Sequence, residues 1–258
     1  MKPFIYGRQK GIHIIHLGAT LAQAEIAYKR TVEVVSQGGK VLFVGTKPQA
    51  REPIREEAIR AGQFYVTYRW LGGTLTNLQT IRKSVERFQT INKMEEEGLF
   101  QQMTKKEALR FKRIREKLYR NLEGILEMKR LPALLFVVDV LQERTAVYEA
   151  NILGIPVIAI TDTNSDPLRI DYPIPGNDDA VRSIRLITRL IADACLEGEA
   201  QRQEKLRGEE EAVESPVPER PKFLDVEEEE ELLTMRRVIR KVARTGGQGE
   251  QGTPSSSS

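Results

Sequence analysis

The sequence predicts an α/β fold, a parallel β-sheet sandwiched by helices with a helical hairpin inserted into it. Three observations carry this. Short apolar, β-branched runs are bounded by turn residues; helical patterns lie between them; and one long stretch of paired helical seams interrupts the alternation.

Val41–Val44 follows Gly38-Gly39, Leu134–Val138 follows Pro132, and residues 157–160 follow Gly154-Ile155-Pro156. Each run is apolar at every position, as a strand covered on both faces must be. Ile12–Ile15 is a fourth such run and Phe64–Val66 a fifth. Helical stretches at residues 20–36, 49–61 and 147–153 separate them. Strands that alternate with helices close into a parallel sheet, because each crossover has to return over a face. The last helix of the body opens at Asn177 or Asp178, either of which can cap it. Its apolar seam is Ala180, Ile184, Ile187, Ile191 and Ala194, at helical spacing. The globular domain therefore takes residues 1–75 and 131–198.

Residues 76–130 form the insertion. Thr76-x-x-Gln79 and Thr104-x-x-Glu107 both have the pattern of a capping box. The first helix carries Leu78, Ile81, Val85 and Phe88 on one seam. After Glu95-Glu96-Glu97-Gly98 the second carries Phe111, Ile114, Leu118, Leu122 and Ile125. Seams of 3,4 spacing predict an antiparallel coiled-coil hairpin reaching roughly 30–40 Å from the body. Residues 199–258 are different material: Glu- and Pro-rich, with an acidic run at 227–231, a basic amphipathic stretch at 236–244 and a Gly/Ser terminus. This composition predicts a largely disordered acidic extension with one partner-binding helix across 227–244.

Charge divides the same way. Residues 1–198 hold 30 lysines and arginines against 23 acids, a net of +7, whereas residues 199–258 hold 10 against 14, a net of −4. A basic body suits a polyanionic partner or a mixed-charge solvated face. The single cysteine, Cys195, excludes an internal disulfide and a thiolate zinc site, and falls on a helix's apolar stripe. No apolar run approaches the roughly 20 residues of a membrane span. The N-terminus carries no signal or transit pattern, which predicts a soluble protein of a reducing compartment.

Catalytic chemistry is thinly represented. Gly45-Thr46-Lys47 follows a strand but lacks the rest of a phosphate-binding loop. His13 and His16 would face opposite sides of a strand and cannot share a metal. Asp139, Asp162 and Asp166 sit at strand ends, where a parallel sheet gathers its ligands. They read either as turn residues or as a Mg²⁺ site for phosphoryl transfer. Arg69-Trp70-Leu71-Gly72-Gly73-Thr74-Leu75-Thr76-Asn77 combines a planar cation, an aromatic and two glycines. It serves as a tight turn stapled by Trp70, as a backbone able to approach ribose-phosphate, or as both. The hairpin's cations read as a solvated face or as an RNA-contacting arm. A helical-hairpin adaptor without RNA is the third alternative.

Taken together, several segments resemble the family of the second protein of the small ribosomal subunit, bacterial or organellar type. They are Phe4-Ile5-Tyr6, Gly11-Ile12-His13-Ile14-Ile15, Leu42-Phe43-Val44-Gly45-Thr46-Lys47 and the Arg69–Asn77 loop. Further along come Pro132-x-x-x-Phe136-Val137-Val138-Asp139, Glu143, Glu149 and Gly154-Ile155-Pro156. The last are Thr161-Asp162-Thr163-Asn164-Ser165-Asp166-Pro167 and Asp171-Tyr172-Pro173-Ile174-Pro175-Gly176-Asn177-Asp178-Asp179-Ala180. They run in order from residue 2 to about 197. Two features depart from the pattern. The family usually opens with a Gly-x-His-Phe-Gly-His and Trp-Asn-Pro-Lys lead, whereas this sequence begins at Met1-Lys2-Pro3-Phe4, as a late start or a shortened form would. His16-Leu17-Gly18 stands where Asp-Leu-Gln is common.

The resemblance implies a flavodoxin-like sheet with a protruding coiled-coil hairpin, and a structural, non-enzymatic role in translation without cofactor or metal. It implies a place between head and body of the small subunit, against ribosomal RNA and neighbouring ribosomal proteins. Recruitment of the subunit's large messenger-binding first protein follows from it, as does a cytoplasmic or organellar ribosomal location. No membrane partner is implied. The RNA contacts are then expected on the cationic hairpin and the glycine loop: Arg69, Trp70, Asn77, Arg82, Lys83, Lys105, Lys106, Arg110, Lys112, Arg113, Arg115, Lys117 and Arg120.

Overall fold

The computed structural model describes residues 1–214. An N-terminal hairpin pairs β1 (Ile5–Gln9) with β2 (Ile12–Ile15). There follow α1 (Leu17–Ser36), β3 (Val41–Val44), α2 (Pro48–Arg60), β4 (Phe64–Val66), α3 (Leu78–Glu96), α4 (Lys105–Leu122) and β5 (Leu134–Val138). The chain continues through α5 (Arg144–Leu153), β6 (Val157–Thr161), β7 (Tyr172–Pro175) and α6 (Val181–Glu214). The main sheet has the order β4-β3-β5-β6-β7, every pair parallel. Counted from β3, that is the 2-1-3-4-5 order of a flavodoxin-like sheet. The helical insertion lies between β4 and β5, at the crossover from the second strand of that order to the third.

Two cores follow from the pleat, since successive strand residues face opposite sides. Val41, Phe43, Leu134, Phe136, Val138, Ile158 and Ile160 face α1, α2 and α6. Leu42, Val44, Leu135, Val137, Val157 and Ala159 face α5, residues 70–77 and the base of the insertion. The uninterrupted apolar runs read from the sequence are thus strands sandwiched between helices. At Gly198 the backbone of α1 approaches α6 so closely that an added Cβ would lie 2.8 Å from the Val32 carbonyl and from Val35 Cβ. That glycine marks a helix crossing, and α6 continues beyond it to Glu214. Residues 227–244, with their expected helix, lie outside the described residues.

Ile12–Ile15 is not a strand of the parallel sheet. It pairs antiparallel with β1 through a turn at Lys10 and Gly11, whose φ angles are 48° and 86°. Two successive left-handed residues make the tight hairpin turn whose twist suits the flanking strands. Ile12 and Ile14 are exposed, so apolar composition alone misread their burial. The fifth strand of the sheet is β7, which contains Pro173 and Pro175. It lies at the edge beside β6, where a missing backbone donor is tolerated.

The insertion is a pair of antiparallel helices. Phe88 and Tyr119 stack with ring centroids 5.7 Å apart, Phe100 and Phe111 at 6.1 Å, and Arg115 pairs with Glu95. The helices have 19 and 18 residues, giving lengths of roughly 27–29 Å at 1.5 Å per residue. They fall short of the expected reach because Gly98, at φ 71°, and a 3-10 turn at Leu99–Gln101 take up the tip. The Thr104–Glu107 capping box forms. At α3, however, the cap is Asn77 and not Thr76, because the Thr76 hydroxyl is drawn to Glu149. Among the described residues, no helix is long and apolar enough to cross a membrane.

Candidate nucleic-acid interface

Residues 70–77 are shaped by one buried carboxylate. Glu149, on α5 and 4% exposed, accepts from Trp70 Nε1 at 3.0 Å and from the backbone N–H groups of Gly73, Leu75 and Thr76 at 2.8, 2.9 and 3.1 Å. The Thr76 hydroxyl donates to it as well, at 3.2 Å. Burial pushes this carboxyl up, but the donors from Trp70, Leu75, Gly73 and Thr76 outweigh burial and hold it below the ordinary value. Gly73, at φ 86°, lets the backbone turn its amides inward. The loop is therefore pre-set before any partner arrives. Asn77 closes it by accepting from the Thr80 N–H and hydroxyl at the start of α3.

Trp70 is buried, its indole N–H spent on Glu149, whereas Arg69 beside it is exposed. The neighbours divide the work: one side chain anchors the loop while the next faces out. In the sequence, Glu149 stands out through its family spacing. The one other signal is a lone glutamate in an apolar helix segment, since a buried carboxylate requires several donors.

The cations of α4 form a stripe. Lys106, Arg110, Arg113 and Lys117 recur at spacings of 4, 3 and 4, which places them along one helix face. With Glu107, Leu109 and Ile114 they line a shallow groove of about 510 Å³. These four, together with Arg69, Arg82, Lys83, Lys105, Lys112 and Arg120, are exposed, and none has a carboxylate within ion-pair distance among the described residues. Arg115 differs, being turned onto Glu95 across the hairpin.

The root of the hairpin carries two residues that sequence reasoning passes over, Arg51 and Tyr68, beside the expected Arg120. Arg51 of α2 and Arg120 of α4 lie over the ring of Tyr68, with guanidinium carbons 5.1 and 4.9 Å from its centroid. Nothing local links these positions, which are brought together only by the fold.

The carboxyl edge of the sheet is where a flavodoxin-like fold holds ligands, and here the chain fills it. The Lys47 ammonium lies 3.2 Å from Asp139 and 3.0 Å from Asp178, and also pairs with Asp179. Burial works against the charged form of Lys47, but its hydrogen bonds to Asp179, Asp178 and Asp139 raise its pKa above the ordinary lysine value. Burial raises the Asp178 carboxyl; Lys47 opposes this and the Asp139 charge adds to it. Beside them Glu143 accepts from the Thr46 N–H at 2.8 Å and the Thr46 hydroxyl at 2.6 Å. Its carboxyl is raised by burial, against those bonds.

Of the three strand-end acids, Asp139 and Asp162 both border Asp178, whereas Asp166 belongs to a turn of its own. Asp139, at φ 68°, accepts from the N–H groups of Leu141 and Gln142 as well as pairing with Lys47. Asp166 caps a 3-10 turn through the Leu168 N–H. Asp162 instead brings a carboxylate oxygen within 4.8 Å of one each from Asp178 and Asp179, the two acids already engaged by Lys47. His16 caps α1, its Nδ1 accepting from the Ala19 N–H at 2.9 Å.

Fold and surface define a class: a flavodoxin-like α/β platform whose ligand crevice is filled by its own ion pairs, with a cation-rich helical hairpin inserted at one crossover. Residues 1–198 match the sequence profile of the family described as Ribosomal protein S2, and the chain belongs to that family. Among its relatives is the "Small ribosomal subunit protein uS2" of Sorangium cellulosum (strain So ce56), 51% identical over 213 residues, covering 83% of this chain and 77% of that protein. The protein of the same name from Oleidesulfovibrio alaskensis is 52% identical over 214 residues, covering 83% and 82%. That of Nitratidesulfovibrio vulgaris (strain DSM 19637 / Miyazaki F) is 53% identical over 205 residues, covering 80% and 76%.

Proposed function

We propose that this chain is a structural, non-enzymatic constituent of the small ribosomal subunit, working in translation by binding ribosomal RNA and neighbouring ribosomal proteins. The observation that carries the reading is the stripe Lys106-Arg110-Arg113-Lys117 on a member of the Ribosomal protein S2 family. Cations held along one helix face neutralise backbone phosphates and release their counterions, a sequence-independent source of affinity. Shape and ribose contacts then select the folded RNA. The α/β platform at residues 1–75 and 131–198 supports the hairpin of residues 76–130, which projects as a coiled-coil arm. Arg69, Asn77 and the hairpin cations make the contacts, with Trp70 anchoring the loop from within. Residues 199–258 form the acidic extension. The family resemblance supports a seat between head and body of the subunit, docking of the large messenger-binding first protein, and residence on the ribosome in the cytoplasm.

The test is incorporation into small subunits by gradient sedimentation, repeated across salt concentrations, for the variant Arg110→Gln/Arg113→Gln/Lys117→Gln. The salt dependence of RNA binding is expected to weaken by about 1 slope unit for each phosphate no longer neutralised. Incorporation and salt slope equal to the wild type's would remove the stripe from the interface.

A further inference from the structure

We infer that Arg51, Tyr68 and Arg120 form an RNA phosphate clamp at the root of the hairpin, two guanidinium groups held over one exposed tyrosine ring. The three come from α2, the segment after β4, and the last turn of α4. Arg120 Nη1 donates to the Tyr68 hydroxyl at 3.1 Å, and Arg51 Nε donates to the Thr46 carbonyl at 2.9 Å. Both cations are thereby fixed from a second direction. Their guanidinium carbons can lie no more than 10.0 Å apart, the two centroid distances laid end to end.

The neighbouring turn of α2, facing the 3-10 turn just after α4, points to the ligand. One turn along α2 from Arg51, Arg55 pairs with Glu123, three residues beyond Arg120. That pair neutralises itself. Arg51 and Arg120 have no carboxylate within ion-pair distance among the described residues, although both are exposed and held against the same ring. Two like charges held together on a preorganised support suit an anion from outside. A guanidinium fork matches phosphate oxygens bidentately, and a side chain already ordered loses less freedom on binding. The ring itself is occupied by cations, so it positions charge and does not serve as a stacking surface for a base. Tyr68 is 39% exposed, which leaves the assembly open to a partner. Its hydroxyl titrates below the ordinary tyrosine value, first through the hydrogen bond from Arg120 and then through the charge of that arginine.

This clamp rests on the reading that the chain binds small-subunit ribosomal RNA, and the experiment separates the two. The full-length chain is titrated with that RNA at several salt concentrations, alongside Arg51→Gln/Arg120→Gln, Tyr68→Leu and Arg51→Lys/Arg120→Lys, with thermal melting of each variant. The Gln pair is expected to lower the salt slope by about 1 for each arginine. Tyr68→Leu is expected to weaken binding several-fold at unchanged slope, because the charges remain and only their placement is lost. The Lys pair should keep the slope and lose affinity, since it preserves charge without the fork. If the Gln pair does not fold, the Lys pair decides, and wild-type affinity in it overturns the clamp. A Gln pair that folds and binds with wild-type slope and affinity also overturns it. So does a loss confined to Tyr68→Leu, which would show the ring stacking on a base. Failure of the wild-type chain to bind would instead overturn the functional reading.

Discussion

Removing the Glu149 carboxylate should cost far more than removing any single surface charge. In Glu149→Gln the side chain keeps its size but has one accepting oxygen. Oε1 now takes Trp70 and Gly73, and Oε2 takes Leu75 and Thr76. Whichever way the amide turns, two of these N–H groups lose an acceptor and meet another donor. The Leu75 and Trp70 donors are on residues 2% and 9% exposed, so water cannot readily replace the lost bonds. A buried donor left unpaired costs about 1–3 kcal/mol, which sets the expected loss at about 3 kcal/mol, and at about 4 kcal/mol for Glu149→Ala. Denaturant unfolding measures this directly. Trp70 is the only tryptophan, so its emission should shift to the red as the loop opens. The sign with pH also follows. A carboxyl held low in the fold contributes stability that is present above its unfolded pKa of about 4.3 and is lost as pH falls through the folded value. The wild type should show that loss in acid and Glu149→Gln should lack the Glu149 part of it. A Gln variant within about 0.5 kcal/mol of wild type, with unchanged emission, would refute the account of the loop.

Lys47→Met should destabilise the platform by about 2–4 kcal/mol at neutral pH by leaving Asp139, Asp178 and Asp179 without their counter-charge. Because burial and its acidic neighbours raise Asp178, the variant should regain stability as pH is lowered towards the aspartate range, measured by urea melts at several pH values. Gly124→Ala would drive its new methyl into the Tyr65 carbonyl and ring, for an expected loss of about 3 kcal/mol by denaturant titration. Cys195 is 1% exposed and burial pushes its thiol up to about 12. A thiol reagent at pH 8 should therefore label it only as denaturant unfolds the chain, and rapid labelling of the native protein would contradict its burial.

Legibility differs between elements for physical reasons. Strands β3, β5 and β6 can be read because sheets covered on both sides demand apolar residues at every position. The same rule misplaces β2, whose Ile12 and Ile14 lie exposed in a separate hairpin, since composition reports how apolar a strand is and not what covers it. It passes over β7 because prolines are excluded from central strands but tolerated at an edge. The hairpin seams are legible from helical spacing, whereas the cap of α3 depends on a glutamate 73 residues from Thr76. The exposed cations of α4 can be picked out in the sequence, yet nothing in it distinguishes Arg115, turned onto Glu95, from its neighbours.

By itself the sequence determined the α/β class, the inserted helical pair and the family, all of which rest on local patterning and on motifs whose order survives without coordinates. Only the tertiary structure decided what the polar residues do. Glu149 gathers a loop, Lys47 fills a crevice, and Arg51 and Arg120 meet over Tyr68. The reason lies in the range of the forces. Periodicity expresses burial one element at a time, but a charge acquires its role from partners that folding brings near from distant parts of the chain.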